Sequence, residues 1–202
     1  MPPDQFLTLA GPAAAEPPKV KGSRFLGEAF PAASADHAEA RLAEVRAREH
    51  AATHHCWAYR LAPDDPAPRS SDDGEPGGSA GAPILREIEG RELYGVLAVV
   101  TRTYGGTKLG VGGLARAYGA AAGAALDAAR QRRVVVRVPV RLAFAFDDTA
   151  AAMRMLDRFD AELAGQTYTA DGTTLELAVR RSQAPALRAA FVEATAGRGS
   201  VL

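Results

Sequence analysis

The 202-residue chain has one cysteine, Cys56, one tryptophan and no net charge. A lone cysteine cannot close an internal disulfide, so secretion gains no support. No apolar run approaches the roughly 20 residues that a membrane span needs. The start, MPPDQFLTLAGPAAAEPP, has an acid and prolines where a signal peptide has a basic end and an apolar core. The chain therefore reads as cytoplasmic, with no membrane partner. Several chemistries lack their residues too. There is no G-x-S-x-G elbow for a nucleophilic serine, no second cysteine pair for zinc and no alternating-acid calcium loop. Walker A needs Gly-Lys-Ser/Thr, whereas the order here is Gly106, Thr107, Lys108.

What is present is ordinary globular composition, 47% hydrophobic and 24% charged, enough for one good core or two small ones. The charge is segregated rather than scarce. Residues 64–92 hold eight acids and three bases, and residues 101–133 hold six bases and one acid. Such a basic region suits phosphates or an acidic partner, unless the two segments simply face each other.

Periodicity divides the chain. Phe6 to Leu9 and Ser23 to Phe30 read as short strands that could pair as a hairpin. Ser34 is a good N-cap, and Ala38, Leu42 and Val45 recur at helical spacing up to about His50. HCWAYRL, His55 to Leu61, alternates as a strand with one aromatic face. Residues 62–81 form a long polar loop rich in proline and glycine, of the kind that is functional or flexible inside a compact domain. APILREIEG predicts a short helix with Pro83 in its first turn. LYGVLAVVTRTY is a nearly continuous apolar run, which predicts a central strand. The alanine-rich run from Gly113 predicts a helix able to pack closely on a sheet.

A second unit begins near Arg133. VVVRVPVRLAFAF reads as one strand with Arg137 and Arg141 on one face, and Pro139 points to an edge or bend. Asp147 and Asp148 open a helix expected to run through Leu163, with Met153, Leu156 and Phe159 as its apolar stripe. Two strands about the turn at Asp171 and Gly172 follow, then a closing helix, with RGSVL too short to assign as a last strand. This order is most of a ferredoxin-like sandwich. The expected domains are 1–133 and 134–202, in a mixed α/β (α+β) chain.

One stretch carries most of the chemistry, TRTYGGTKLGVGGLARAY, Thr101 to Tyr118. Glycine N–H groups in a loop that leads into a helix can cradle an anion. The candidate phosphate or nucleic-acid ligands are Arg102, Gly105, Gly106, Lys108, Gly110, Gly112, Gly113 and Arg116, with Arg132 and Arg133 beyond the helix. The bland alternative is that the glycines only permit a tight turn and close packing. A Rossmann reading of Gly110, Gly112 and Ala115 fails for want of the acid about 20 residues on.

Asp72, Asp73 and Glu75 in the acidic loop are candidates for acid/base or metal-binding work, or for docking onto the basic segment. His54, His55 and Cys56 are adjacent in a strand, so consecutive side chains point to opposite faces and cannot easily share a metal. A strand cysteine is more often a small core residue than a nucleophile. No metal or cofactor is expected, and no catalytic residue can be named.

Two segments together, SDDGEPGGSAGAPIL and VVTRTYGGTKLGVGGLARAY, resemble the YigZ/IMPACT family, supported by KGSRFLGEAF and HHCWAYRL. Thr103 and Tyr104 stand where the family usually has an aromatic pair, and Ser79 stands for a threonine. The resemblance implies a two-domain α/β protein. The N-terminal domain would share the fold of the second domain of ribosomal protein S-five, and the C-terminal domain would be ferredoxin-like, like the last domains of elongation factor G. It also implies a regulator of translation that binds RNA, the ribosome or a protein partner. The alternative is an enzyme acting on a phosphorylated small molecule or nucleotide, with Asp72 or Asp73 as base or magnesium ligand.

Overall fold

The computed structural model describes residues 4–63 and 68–202, so Asp64 and Asp65 of the long loop lie outside the described residues. The chain divides into two compact units, Phe6–Val134, and Val135–Leu202 with residues 4 and 5.

The first unit contains strands β1 (Gln5–Leu9), β2 (Ala13–Ala15) and β3 (Arg24–Pro31), helix α1 (Ala35–Arg48), strands β4 (His54–Arg60) and β5 (Arg69–Ser71), helix α2 (Gly81–Gly90), strand β6 (Val96–Thr103), helix α3 (Val111–Ala128) and strand β7 (Gln131–Val135). Five strands form an antiparallel sheet in the order β2-β3-β6-β4-β5. β6 lies at its centre, as its unbroken apolar run predicts, because both faces are covered. Val96, Ala98 and Val100 enter the core with α2 and α3, and Leu97 and Val99 enter the core with α1.

Local chemistry explains the helices. Ser34 caps α1, its hydroxyl accepting from the His37 N–H at 3.2 Å, and Ala38, Leu42 and Val45 are its buried stripe. The small residues of α3 let it lie on β3: a Cβ on Gly27 would stand 2.1 Å from the Ala121 carbonyl oxygen. Trp57 and Tyr59 stack at 5.4 Å on the face of β4 that meets α1.

The expected hairpin of the first two strands does not form. β3 pairs with β2, while β1 pairs with β7 as a separate two-stranded sheet. β2 is three alanines between prolines, which carry no strand pattern of their own. The long loop contains β5, an edge strand paired to Trp57, Ala58 and Tyr59.

The second unit runs β8 (Arg137–Ala145), α4 (Thr149–Leu156), β9 (Ala161–Tyr168), β10 (Gly172–Arg180), α5 (Ala184–Ala194) and β11 (Ser200–Val201). Its sheet order, β11-β8-β10-β9, is the ferredoxin-like arrangement, with the short RGSVL segment supplying the last strand. Val140, Leu142, Phe144, Leu175, Leu177 and Val179 face Met155, Leu187 and Phe191 in one core.

Three expectations are corrected here. VVVRVPVRLAFAF is two strands, β7 and β8, broken at Val136, whose N–H donates to the Asp4 carbonyl and whose carbonyl accepts from the Arg181 N–H. The helix expected through Leu163 ends at Leu156, and Ala161 begins an edge strand. That strand pairs on one side only and leaves Leu163 58% exposed, so its apolar residues do not alternate cleanly. The buried stripe of α4 is Ala152 and Met155, with Met153 exposed. Pro139 lies where β11 does not reach, since β11 pairs only with Leu142 and Ala143. Arg137 and Arg141 share a face as expected, paired with Asp160 and Glu162 and with Glu176.

Candidate nucleic-acid interface at the glycine-rich turn

The acidic loop folds inward, and each of its three acids is engaged. The Asp72 carboxylate accepts from the N–H groups of Gly78, Ala80 and Gly81 at 2.7, 2.8 and 2.8 Å, capping the start of α2 from outside the helix. Burial pushes its carboxyl up, but these three bonds outweigh burial and hold it below the usual carboxylate range. Asp73 pairs with Arg46 of α1 at 2.9 Å and accepts from the His55 N–H, while its carbonyl accepts from His54 Nδ1. Oε1 of Glu75 accepts from Arg102 Nη1 at 2.5 Å and from the Tyr118 hydroxyl at 2.7 Å, with His54 Nε2 3.9 Å away. Among the described residues, no group of three His, Cys, Asp or Glu side chains is arranged to hold a metal.

Cys56 belongs to the same layer. Its thiol donates to the Asp72 carbonyl at 3.0 Å, and burial pushes its pKa up to about 12, so it is an inert packing residue. Burial likewise raises the Tyr118 hydroxyl, which keeps its proton and donates it to Glu75. His54 and His55 point to opposite faces of β4 as the alternation predicts, and His55 Nε2 donates to the Glu49 carbonyl.

The ten residues named as phosphate ligands do not form one patch. Arg102 is buried: besides Glu75 it donates from Nη2 to the Ser23 hydroxyl, and the same hydroxyl accepts from the Gly105 N–H. It is a pillar beneath the turn rather than an exposed ligand. Gly105 is a packing glycine, because a Cβ there would stand 1.9 Å from the Gly22 carbonyl carbon. Arg132 and Arg133 lie on β7 beyond the far end of α3. An 18-residue helix spans about 27 Å, so these two arginines are removed from the turn.

Lys108 and Arg116 remain at the turn itself. Both are exposed, and neither makes an ion pair or hydrogen bond with another described residue. Gly110, at φ 70°, is the N-cap of α3 and offers no side chain, so the N–H groups of Val111, Gly112 and Gly113 have no side-chain cap. The Arg116 guanidinium folds back over this first turn, 3.7 Å from where a Cβ on Gly112 would stand. Gly106, at φ 88°, and Gly110 face open space, so the turn is accessible from outside.

Ser23, Thr53 and Tyr118 anchor the turn, and none of them was among the candidate ligands. A tyrosine one helical turn after Leu114, on the buried face of α3, needs a hydroxyl partner, and that need was the available clue.

Comparison with known proteins agrees with this architecture. Residues 21–126 match the Impact N-terminal domain, and residues 142–198 match a domain of unknown function, DUF1949. The chain is 40% identical over 158 residues to the IMPACT family member in the pol 5′ region of Thermus thermophilus, covering 78% of this chain and 84% of that protein. It is 32% identical over 182 residues to an IMPACT family member of Haemophilus influenzae, covering 89% and 88%. YigZ of Escherichia coli, also named an IMPACT family member, is 34% identical over 154 residues, covering 75% and 76%. A crystal structure of a hypothetical protein superposes with a TM-score of 0.72 at 29% identity, covering 98% of this chain and 97% of that one. With both units matched and the acidic loop and glycine-rich turn inside the first match, the chain belongs to the IMPACT family.

Proposed function

We propose that this protein is a cytoplasmic regulator of translation that binds RNA, alone or on the ribosome, through the glycine-rich turn at the start of α3. One observation carries the reading. Lys108 and Arg116 stand unpaired beside the positive end of an 18-residue helix whose first N–H groups lack a side-chain cap. Cations at a helix N-terminus are unfavourable by about 0.3–1 kcal/mol each, and an anion there reverses the sign. Arg24, Arg46, Arg48 and Arg91 of the same unit have carboxylate partners, whereas the two cations at the turn have none. Phosphate supplies it, and the kinship implied with ribosomal protein S-five and elongation factor G favours RNA as its source. No observation favours the enzyme reading, since Asp72 and Asp73 are held by α2 and by Arg46.

The test is binding of labelled transfer RNA, ribosomal RNA fragments and single-stranded oligonucleotides across a salt series. Affinity should fall with salt, and Lys108→Ala with Arg116→Ala should reduce the log–log slope by about 1.4 on single strands. Binding at low salt that the double variant leaves unchanged overturns the reading.

A further inference from the structure

Tyr104 is the first residue after β6 and is 45% exposed, yet it is held firmly. Its N–H donates to the Thr53 hydroxyl at 3.1 Å, and the next N–H, of Gly105, donates to the Ser23 hydroxyl at 3.1 Å. The ring centroid lies 5.4 Å from Cζ of Arg102, whose side chain is buried and tied to Glu75. The ring thus rests on a fixed guanidinium while nearly half of the residue faces solvent. An exposed aromatic ring at the same turn that carries the unpaired Lys108 and Arg116 matches a nucleotide's flat apolar face and negative charge.

We infer that the site takes an unpaired nucleotide of RNA, with its base stacked on Tyr104 and its phosphates met by Lys108 and Arg116. The inference rests on the RNA reading above and narrows it to single strands, because bases inside a duplex offer no free face. Tyr104 then supplies preference for unpaired RNA, and the two cations supply the salt-dependent part of affinity.

The experiment measures anisotropy of one labelled RNA as a single strand, as a duplex, and as a single strand with abasic positions. The proteins are wild type, Tyr104→Ala and Tyr104→Phe, each checked for an unchanged melting temperature. Wild type should prefer the single strand. Tyr104→Ala should weaken that binding about tenfold while duplex binding and the salt slope stay unchanged. Tyr104→Phe should retain tight binding, and abasic RNA should bind wild type as weakly as intact RNA binds Tyr104→Ala. Equal affinity of wild type and Tyr104→Ala for the single strand, or equal loss on single strand and duplex, overturns the stacking role and leaves the RNA reading intact. Failure of wild type to bind any of the three RNAs at low salt overturns both.

Discussion

Glu75 and Arg102 form an ion pair with side chains only 4% and 5% exposed, and the glutamate oxygen that takes the guanidinium also takes the Tyr118 hydroxyl. One carboxylate therefore ties the end of β6 to the second turn of α3, the two elements that flank the glycine-rich turn. Among the described residues, the acidic loop and the basic segment meet through the buried Glu75–Arg102 pair rather than through broad surface attraction.

Removing one partner of such a pair strands a buried charge, which costs about 3–5 kcal/mol, whereas replacing both by apolar residues of similar volume is far milder. Glu75→Ala and Arg102→Ala should each lower the urea midpoint sharply. The double variant Glu75→Met with Arg102→Met should recover much of that loss. Additive losses in the double variant would show that the pair acts through its separate neighbours, Ser23 and Tyr118, instead.

Asp72 gives a pH-dependent prediction. Its carboxyl lies below the ordinary value because the N–H bonds from Gly78, Ala80 and Gly81 outweigh the opposing effect of burial. A carboxyl depressed in the folded state contributes stability above its unfolded pKa and loses it as pH falls through the folded value. Asp72→Ala should cost about 1–2 kcal/mol at neutral pH, as loss of a helix cap does. The gap from wild type should begin to narrow as pH drops below about 4, and a series of thermal melts from pH 7 downward would follow it.

The sequence made the scaffold more legible than the site. The run from Val96 to Val100 could only be a strand covered on both faces, and Ser34 with Ala38, Leu42 and Val45 placed α1 closely. β2 was invisible because three alanines have no period, and the first half of β9 was missed because an edge strand with exposed Leu163 does not alternate. Arg102 was read as a surface ligand although it continues the inward series Val96, Ala98, Val100, and an arginine in such a position requires a buried acid. Arg132 and Arg133 joined the candidate patch through closeness in sequence, which the length of α3 undoes. Lys108 and Arg116 kept their place because the glycines that precede and open α3 leave that end exposed.

Glu28, on β3, offers the opposite sign to Asp72. It is a buried carboxylate facing α1, where Arg48 donates to it at 2.7 Å. Burial raises its pKa, nearby Glu49 adds to the rise, and Arg48 opposes without cancelling it. A carboxyl raised in the folded state contributes most below its unfolded pKa and loses that contribution as pH climbs through the folded value. At neutral pH, therefore, folding penalises the charged form relative to the unfolded chain, and a neutral residue of the same shape removes the penalty while keeping an acceptor for Arg48. Glu28→Gln should leave stability unchanged or raise it by about 1 kcal/mol or less at pH 8, with the advantage vanishing near pH 4. A clear loss of stability in Glu28→Gln at pH 8 would mean that attraction to Arg48 outweighs burial at this site.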